Sequence, residues 1–239
     1  MTYNIHFGQG MDDKLNMERI AQNILSEDPD ILGLQEVDNG RITSQGIDMA
    51  LWLAHRLEMH HYYYPGENKH TLGCAVLSKY PIEESKGYDI PSLTIKRVMA
   101  TSKVVVSKDL TLDVFVVHLG ISGEDVLTQV KLVLDSIEKD ADPATPTILM
   151  GDFNKEDNST EIQEVLKVFE DTSEGYPKPP TFPSVDLYGT KEETIDYIFA
   201  SGHEKVLDSH VVEDMSERLD GPEEYGSDHL PLVSTLTFP

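Results

Sequence analysis

The sequence holds one cysteine, Cys74, so no disulfide can form within the chain. Cys74 lies in the apolar run Leu72-Gly73-Cys74-Ala75-Val76-Leu77 with no base beside it, and reads as a buried core thiol rather than a nucleophile. A Gly-x-Ser-x-Gly elbow is also missing, so a hydrolase working through a covalent serine has no support. Cationic side chains are scarce: 19 Lys and Arg face 43 Asp and Glu, a formal net charge of −24. A field of that sign repels polyanions. The lysines are scattered and often sit beside acids, as in Lys191-Glu192-Glu193, so no basic patch offers to grip many phosphates. DNA and RNA are thereby disfavoured as substrates, and solubility or adaptation to salt is the plainer account of the charge. A bound metal ion would change the local field. No apolar stretch is long enough to cross a bilayer, and no signal peptide opens the chain. No repeat, low-complexity tract or linker divides the 239 residues, so a single domain over 1–239 is expected.

Apolar strands alternate with amphipathic helices along this domain. Met17, Ile20, Ala21 and Ile24 are spaced for one helical face, which predicts a helix over 16–27. A second fits 46–59, with Ile47, Ala50, Leu51, Ala54 and Leu57 on one face. A third fits 123–138, with Val126, Val130, Val133, Leu134 and Ile137 inward and a capping-box-like start at Ser122 and Asp125. Strands are expected at 31–34, 73–78, 98–106, 111–118, 147–151, 195–200, 206–212 and 231–237. The pair 98–106 and 111–118 reads as a hairpin turning at Ser107-Lys108-Asp109. The proline-rich segment 171–194 is expected to be a long loop, and the acidic segment 213–227 a mobile one.

Polar residues suited to metal and phosphate chemistry recur at the ends of these strands. Asn4 lies on the first, with almost no strand before it. Glu36 follows Ile31-Leu32-Gly33-Leu34-Gln35, His118 ends Val114-Phe115-Val116-Val117, and Asp152 and Asn154 follow Thr147-Ile148-Leu149-Met150-Gly151. Asp196 lies in Ile195-Asp196-Tyr197-Ile198-Phe199, and Asp228 and His229 precede the last strand. Strand ends at one edge of a sheet are where α/β folds gather ligands. An oxygen-rich set with few carboxylates suits Mg²⁺, which keeps waters and bridges to phosphate. Asp152 and Asn154, two apart, would face the same side of an extended strand. Any one of these residues alone is more simply a turn former; the argument rests on the combination.

Several segments together resemble the endonuclease/exonuclease/phosphatase superfamily. They are Thr2-Tyr3-Asn4-Ile5, Leu34-Gln35-Glu36-Val37, Val117-His118-Leu119, Gly151-Asp152-Phe153-Asn154, Ile195-Asp196-Tyr197 and Ser227-Asp228-His229-Leu230-Pro231, in family order over nearly the whole chain. Gly73 to Ile82 is similar to a further family segment. The resemblance implies an α/β fold, a four-layer α/β/β/α sandwich of two mixed sheets packed face to face, with the active site at one end. It implies a Mg²⁺-dependent phosphoric ester hydrolase, with Mn²⁺ as the alternative ion. Glu36 is then the principal metal ligand, Asn4 orients it or the phosphate, and Asp228 adds a carboxylate to the metal set. Asn154 and His118 would donate hydrogen bonds to non-bridging oxygens, as would Arg97, which otherwise reads as a solvated residue on a strand edge. Asp152 would orient and deprotonate the attacking water, and Asp196 would fix the tautomer of His229, with His229 the rival candidate for the base.

Fold does not select among the superfamily's substrates, but departures narrow them. Lys155-Glu156-Asp157 replaces the arginine that inositol polyphosphate 5-phosphatases carry after Gly-Asp-x-Asn, and no Trp-Cys-Asp-Arg segment is present. His6 stands where abasic-site endonucleases usually have aspartate. Tyr3-Asn4-Ile5-His6-Phe7-Gly8, Asp48, Ala54-His55-Arg56-Leu57 and Thr181-Phe182-Pro183 resemble a branch in which the domain sometimes follows a membrane-embedded region and some relatives remodel glycolipid anchors. The expectation is a monomeric phosphodiesterase acting on a small or lipid-linked substrate. The alternatives are a nuclease and a catalytically inactive binding module. Because site residues begin at position 4, the chain is expected to be a domain of a longer protein. No compartment follows: the chain as given would be cytoplasmic, but a domain of a membrane-attached or exported protein fits equally.

Overall fold

The computed structural model describes residues 1–65, 72–92, 97–121, 123–185, 189–212 and 225–239. In chain order the elements are β1 (Thr2–Asn4), α1 (Met17–Glu27), β2 (Ile31–Val37), α2 (Met49–Leu57), β3 (His60–Tyr64), β4 (Gly73–Ser78), β5 (Ile82–Ile90) and β6 (Arg97–Val105). They continue with β7 (Thr111–His118), α3 (Gly123–Asp140), β8 (Thr147–Asp152), α4 (Thr160–Val165), β9 (Glu170–Asp171), β10 (Asp196–Ser201), β11 (Lys205–Val211) and β12 (Leu232–Thr237). The strands form two six-stranded sheets, ordered β11-β12-β1-β2-β4-β3 and β5-β6-β7-β8-β10-β9. Both are mixed: β1 with β2 and β7 with β8 run parallel, and the other pairs antiparallel.

Strand alternation builds the layers. In β7, Val114 and Val116 belong to the core between the sheets, while Phe115 and Val117 belong to the core beneath α3 and α4. In β8, Ile148 and Met150 take the first face and Leu149 the second; in β10, Ile198 takes the first and Tyr197 and Phe199 the second. Successive side chains point to opposite faces, so a strand buried on both sides reads as a continuous apolar run. Helix α3 closes the outer layer with Val126, Val130, Val133 and Ile137, all buried. On the other flank Ile20, Ala21 and Ile24 of α1 and Leu53 of α2 seal the first sheet. Each such side chain removed from water stabilises the fold by roughly 1.5–3 kcal/mol.

The expected helices and most strands are present, with definite corrections. Helix α1 starts where Asn16 caps it, its side chain accepting from Glu18 N at 3.1 Å. Helix α2 is shorter than 46–59 because Asp48 caps Leu51 N at 3.0 Å. Its buried stripe is Met49, Ala50, Leu53 and Ala54, and Leu51, expected inward, is exposed. The cap expected at Ser122 and Asp125 lies outside the described residues. Strands β3, β5 and β9, all sheet edges, lack a strand signal in the sequence, whereas the fourth edge, β11, carries one at 206–212. The sequence of β5, Ile-Glu-Glu-Ser-Lys-Gly-Tyr-Asp-Ile, is largely exposed, and charge on an edge discourages pairing with other chains. Of the segment 171–194, Asp171 belongs to β9, residues 186–188 lie outside the described residues, and the rest is loop, pinned where Phe182 bridges Glu193. In the acidic segment, 213–224 lie outside the described residues, but Tyr225 and Ser227 are buried; Tyr225 O accepts from Met11 N at 3.0 Å.

Two glycines set how closely these layers approach. At Gly33 of β2, a Cβ would lie 2.7 Å from Met150 Sδ and 2.9 Å from Val116 Cγ2, so its bare face lets the sheets meet. At Gly151, beside the expected site, φ is +146° and a Cβ would fall on the carbonyl oxygen of Val117 in the neighbouring strand. Strain and overlap therefore act together at Gly151, and the obstructing atom is rigid backbone. Gly151→Ala should cost about 3 kcal/mol or more. Gly33→Ala, which meets flexible side-chain atoms, should cost about 1–2 kcal/mol. Urea denaturation of both variants checks the order, and equal losses would contradict this account.

Candidate active site

The parallel pairs β1–β2 and β7–β8 end at the same end of the sandwich, and the partner strands β6 and β10 begin there. Register fixes the neighbours: Asp196 pairs with Asp152 across β10 and β8, and His118 pairs with Asp152 across β7 and β8. Arg97 opens β6 next to Val98, whose register partner is His118.

The centre is a buried polar network. Asn4 Nδ2 donates to Asp152 Oδ2 at 3.0 Å, linking one sheet to the other. The same nitrogen lies 3.4 Å from Glu36 Oε1 and 3.4 Å from His229 Nε2. Asn4 Oδ1 accepts from His6 N at 3.1 Å, which fixes the amide so that its donor side faces the carboxylates. His229 Nδ1 lies 2.8 Å from Asp196 Oδ2, and His229 Nε2 is 3.7 Å from Asp152 Oδ2. Asn4, His118, Asp152, Asp196 and His229 are all buried.

Glu36 holds its place through an irregularity. The β2–β4 register shifts between Leu34 and Val37, and Glu36 sits in that bulge with φ +54°. A bulge re-aims a side chain, and a left-handed non-glycine residue costs on the order of 1–3 kcal/mol. Burial and the nearby Asp228 carboxylate raise the Glu36 pKa, with His6, His229 and Asn4 opposing. No lysine or arginine pairs with Glu36 among the described residues. A half-buried carboxylate repelled by a second one, and lacking a fixed cation, is a donor set that a hard divalent ion fits. Asp152, Asp196 and His229 also bring one ligand atom each within 4.8 Å of one another. In that trio the ring Nδ1 faces Asp196 and Asp152 Oδ2 receives Asn4, so hydrogen bonding already uses much of its ligand capacity.

The charges are uneven. Burial pushes the Asp152 pKa up to about 7, Asp196 adding to it and His229, Asn4 and the Asn154 N–H opposing. Burial works against charge on His229, but Asp196, then Asp152 and Asp228, outweigh it and raise the pKa to about 10. His118 is held neutral, well below its ordinary value, by burial and by the cations Arg97 and His229.

Two expected placements change. Asn154 does not continue the strand of Asp152: β8 ends at Asp152, and Asn154 has φ +52°. Its N–H donates to Asp152 Oδ1 at 2.9 Å and its Nδ2 to Leu119 O at 2.9 Å, so the turn, not strand alternation, sets its direction. Arg97 is no solvated edge residue either, since β6 lies between β5 and β7. Its Nη1 is 2.7 Å from His118 Nε2, and His118 Nε2 is 3.4 Å from Asp152 Oδ2. Arg97 Nε is buried without a partner, and no carboxylate pairs with the guanidinium among the described residues. Asp228 lies 3.8 Å from His6 Nδ1, and its charge acts on both Glu36 and His229.

Three residues that the sequence offers only as members of family-like segments turn out to support the site. Ser227 Oγ donates to Asn4 O at 2.6 Å and accepts from His229 N at 3.2 Å. Thr181 Oγ1 accepts from Ile195 N at 3.2 Å and Asp196 N at 3.3 Å. The ring of Phe182 stands 4.9 Å from that of His229. For Ser227 and Thr181 the signal is a small hydroxyl in those segments, which a lone sequence does not separate from an ordinary turn residue.

Among known proteins, the model of the endonuclease/exonuclease/phosphatase family matches residues 1–229. Over 90 residues, 38% of this chain and 9% of the relative, the sequence is 38% identical to protein cwh43 of Schizosaccharomyces pombe. Rat (Rattus norvegicus) Nocturnin is 26% identical over 92% of this chain and 57% of its own length. The chain thus spans little more than half of one curated relative and a small part of the other. A mannosyl-6-phosphatase from Bacteroides thetaiotaomicron superposes with a TM-score of 0.77 at 21% identity, covering 99% of this chain and 98% of that one; at that identity the likeness speaks to fold. The order of the motifs and the sandwich agree with the match over nearly the whole chain: the protein belongs to the endonuclease/exonuclease/phosphatase family, whose members are hydrolases of phosphate esters and generally depend on a divalent metal.

Proposed function

We propose that the chain is a Mg²⁺-dependent phosphodiesterase acting on a small or lipid-linked substrate. The observation that carries this reading is the convergence of Asn4, Glu36, His118, Asp152, Asp196 and His229, from separate strand ends of both sheets, in one buried hydrogen-bonded network. A binding module has no need to bury that many ionisable groups together. Glu36 would hold the metal, with Asp228 beside it and Asn4 fixing the Glu36 carboxylate. When bound, the ion would polarise a phosphoryl oxygen and offset the charge that develops in the transition state.

The residues divide the remaining work. Asp196 and Asp152 favour the imidazolium form of His229, raising its pKa to about 10 in the metal-free state, so it offers positive charge to the phosphate, held in place by Asp196. Asp152, raised to about 7, can take the proton of an attacking water. This division favours Asp152 as the base and leaves His229 to stabilise charge. His118 lies against the Arg97 guanidinium, so Arg97 has donors to spare and serves the non-bridging oxygens with Asn154. Attack is in line and direct, with no covalent intermediate. The net charge of −24 disfavours a polyanionic substrate.

With Mg²⁺ or Mn²⁺ the protein should hydrolyse bis-p-nitrophenyl phosphate, and EDTA or Glu36→Ala should abolish release; metal-independent hydrolysis would defeat the proposal. Because Asp152 acts as a carboxylate, the rate with Mg²⁺ should rise with pH along a limb that lies below 7, the bound cation displacing it downward from the metal-free pKa of about 7. A falling limb over the same range would assign the base elsewhere. Asp152→Asn should lower turnover by about 10²–10⁴-fold. The raised pKa means that folding favours the protonated group, and that this preference is lost as pH rises through 7. Above pH 7 in EDTA, Asp152→Asn should therefore unfold about 2–4 °C higher than wild type, and calorimetry showing a lower midpoint would refute the buried-charge argument.

A further inference from the structure

A cavity of about 370 Å³ opens beside the reaction centre and shares Asn154 with it. Its other walls are Glu156, Asn158 and Ser159 from the turn after Asn154, Glu193 from the strand-like segment opposite, and Lys155. Ile195 is the one apolar side chain in the lining. Small-ligand sites span about 300–1,000 Å³, so this space holds one ring-sized group.

The chemistry of the walls is specific. Lys191 Nζ lies 3.0 Å from Glu156 Oε2 and 3.0 Å from Glu193 Oε1, tying the two carboxylates together at one side. Lys155 Nζ donates to Ile121 O at 3.0 Å. Two lysines against two glutamates leave this patch neutral inside a strongly acidic protein. A second phosphate would meet both carboxylates, and an acyl chain would find only Ile195. A base would find no aromatic ring among the lining residues. What remains is a group that donates and accepts several hydrogen bonds without charge.

The geometry points to a subsite here for a neutral polyhydroxylated arm of the substrate, a sugar or cyclic polyol esterified to the phosphate. The hydroxyls of that arm donate to Glu156 and Glu193 and exchange hydrogen bonds with Asn158 and Ser159, while its phosphate lies at Asn154. This rests on the phosphodiesterase reading and names the alcohol that such an enzyme selects.

The test compares two p-nitrophenyl phosphodiesters, one carrying glucose through its 6-oxygen and one carrying ethyl. The wild type should prefer the glucose diester in kcat/KM by about 10-fold or more. Asn158→Trp, which fills the cavity from an exposed position, and Glu156→Leu should each erase the preference and leave the ethyl rate unchanged. Equal kcat/KM for the two diesters in the wild type, or a preference that survives both variants, overturns the subsite. If neither diester nor bis-p-nitrophenyl phosphate is hydrolysed, the phosphodiesterase reading fails, and calorimetric binding of glucose 6-phosphate against ethyl phosphate decides the subsite alone. Tighter binding of the glucose compound, lost in Asn158→Trp, supports it; equal or absent binding overturns it.

Discussion

One hydrogen bond, Asn4 Nδ2 to Asp152 Oδ2 at 3.0 Å, ties the two halves of the sandwich together where the chemistry is expected. Each partner comes from an inner strand of a different sheet. An ionised carboxylate buried among apolar strands is strongly disfavoured unless donors and cations meet it, so Asn4, the Asn154 N–H and the His229 ring are conditions of Asp152 being there. Asn4 can serve because Ser227 takes up its carbonyl and His6 N its side-chain oxygen. The first strand, the turn after β8 and the segment before β12 are thereby locked to a single geometry.

The site also departs from the plain strand geometry that its interior strands follow. Glu36 and Asn154 both lie at positive φ, Glu36 in a bulge, and Gly151 holds a conformation that a side chain would block. Backbone strain of this kind persists only where surrounding structure over-determines it, and at Glu36 and Asn154 it sits outside the helix ends where Asp28, Gln45 and Glu58 adopt the same conformation. Burying Asp152, Asp196 and His229 together is a second departure, since an apolar trio of the same shape would pack with less electrostatic penalty. Both costs fall at one end of the molecule, while Val114, Leu149, Ile198 and their neighbours follow plain alternation.

That division explains what the sequence reveals. Interior strands such as Gly73–Ser78 and Thr111–His118 are legible to the residue because both faces are buried and the apolar run is unbroken. Edge strands such as His60–Tyr64 and Ile82–Ile90 are not, because half-exposed strands carry polar residues that look like loop. The participants of the site are legible as polar residues closing apolar strands, but their directions are not. Asn154 illustrates this: its position two residues after Asp152 suggests a shared face, whereas its left-handed turn sets the side chain by another route. Arg97 shows the converse, since membership of an interior strand depends on pairing with β5, which the sequence conceals. Thr181 and Ser227 act through backbone groups distant in sequence, and no single-chain pattern encodes such contacts.

The register of β8 and β10 has a further meaning. Asp196 lies directly opposite Asp152, and the same alignment places Tyr197 and Phe199 under the outer helices. A slip by one residue would turn every side chain of β10 to the wrong face, carrying Asp196 away from His229 while forcing aromatic rings between the sheets. Core packing and the reactive constellation therefore share one alignment key. A misthreaded chain would be silent rather than weakly or wrongly reactive, so the appearance of activity during refolding would mark the moment at which the second sheet is correctly threaded.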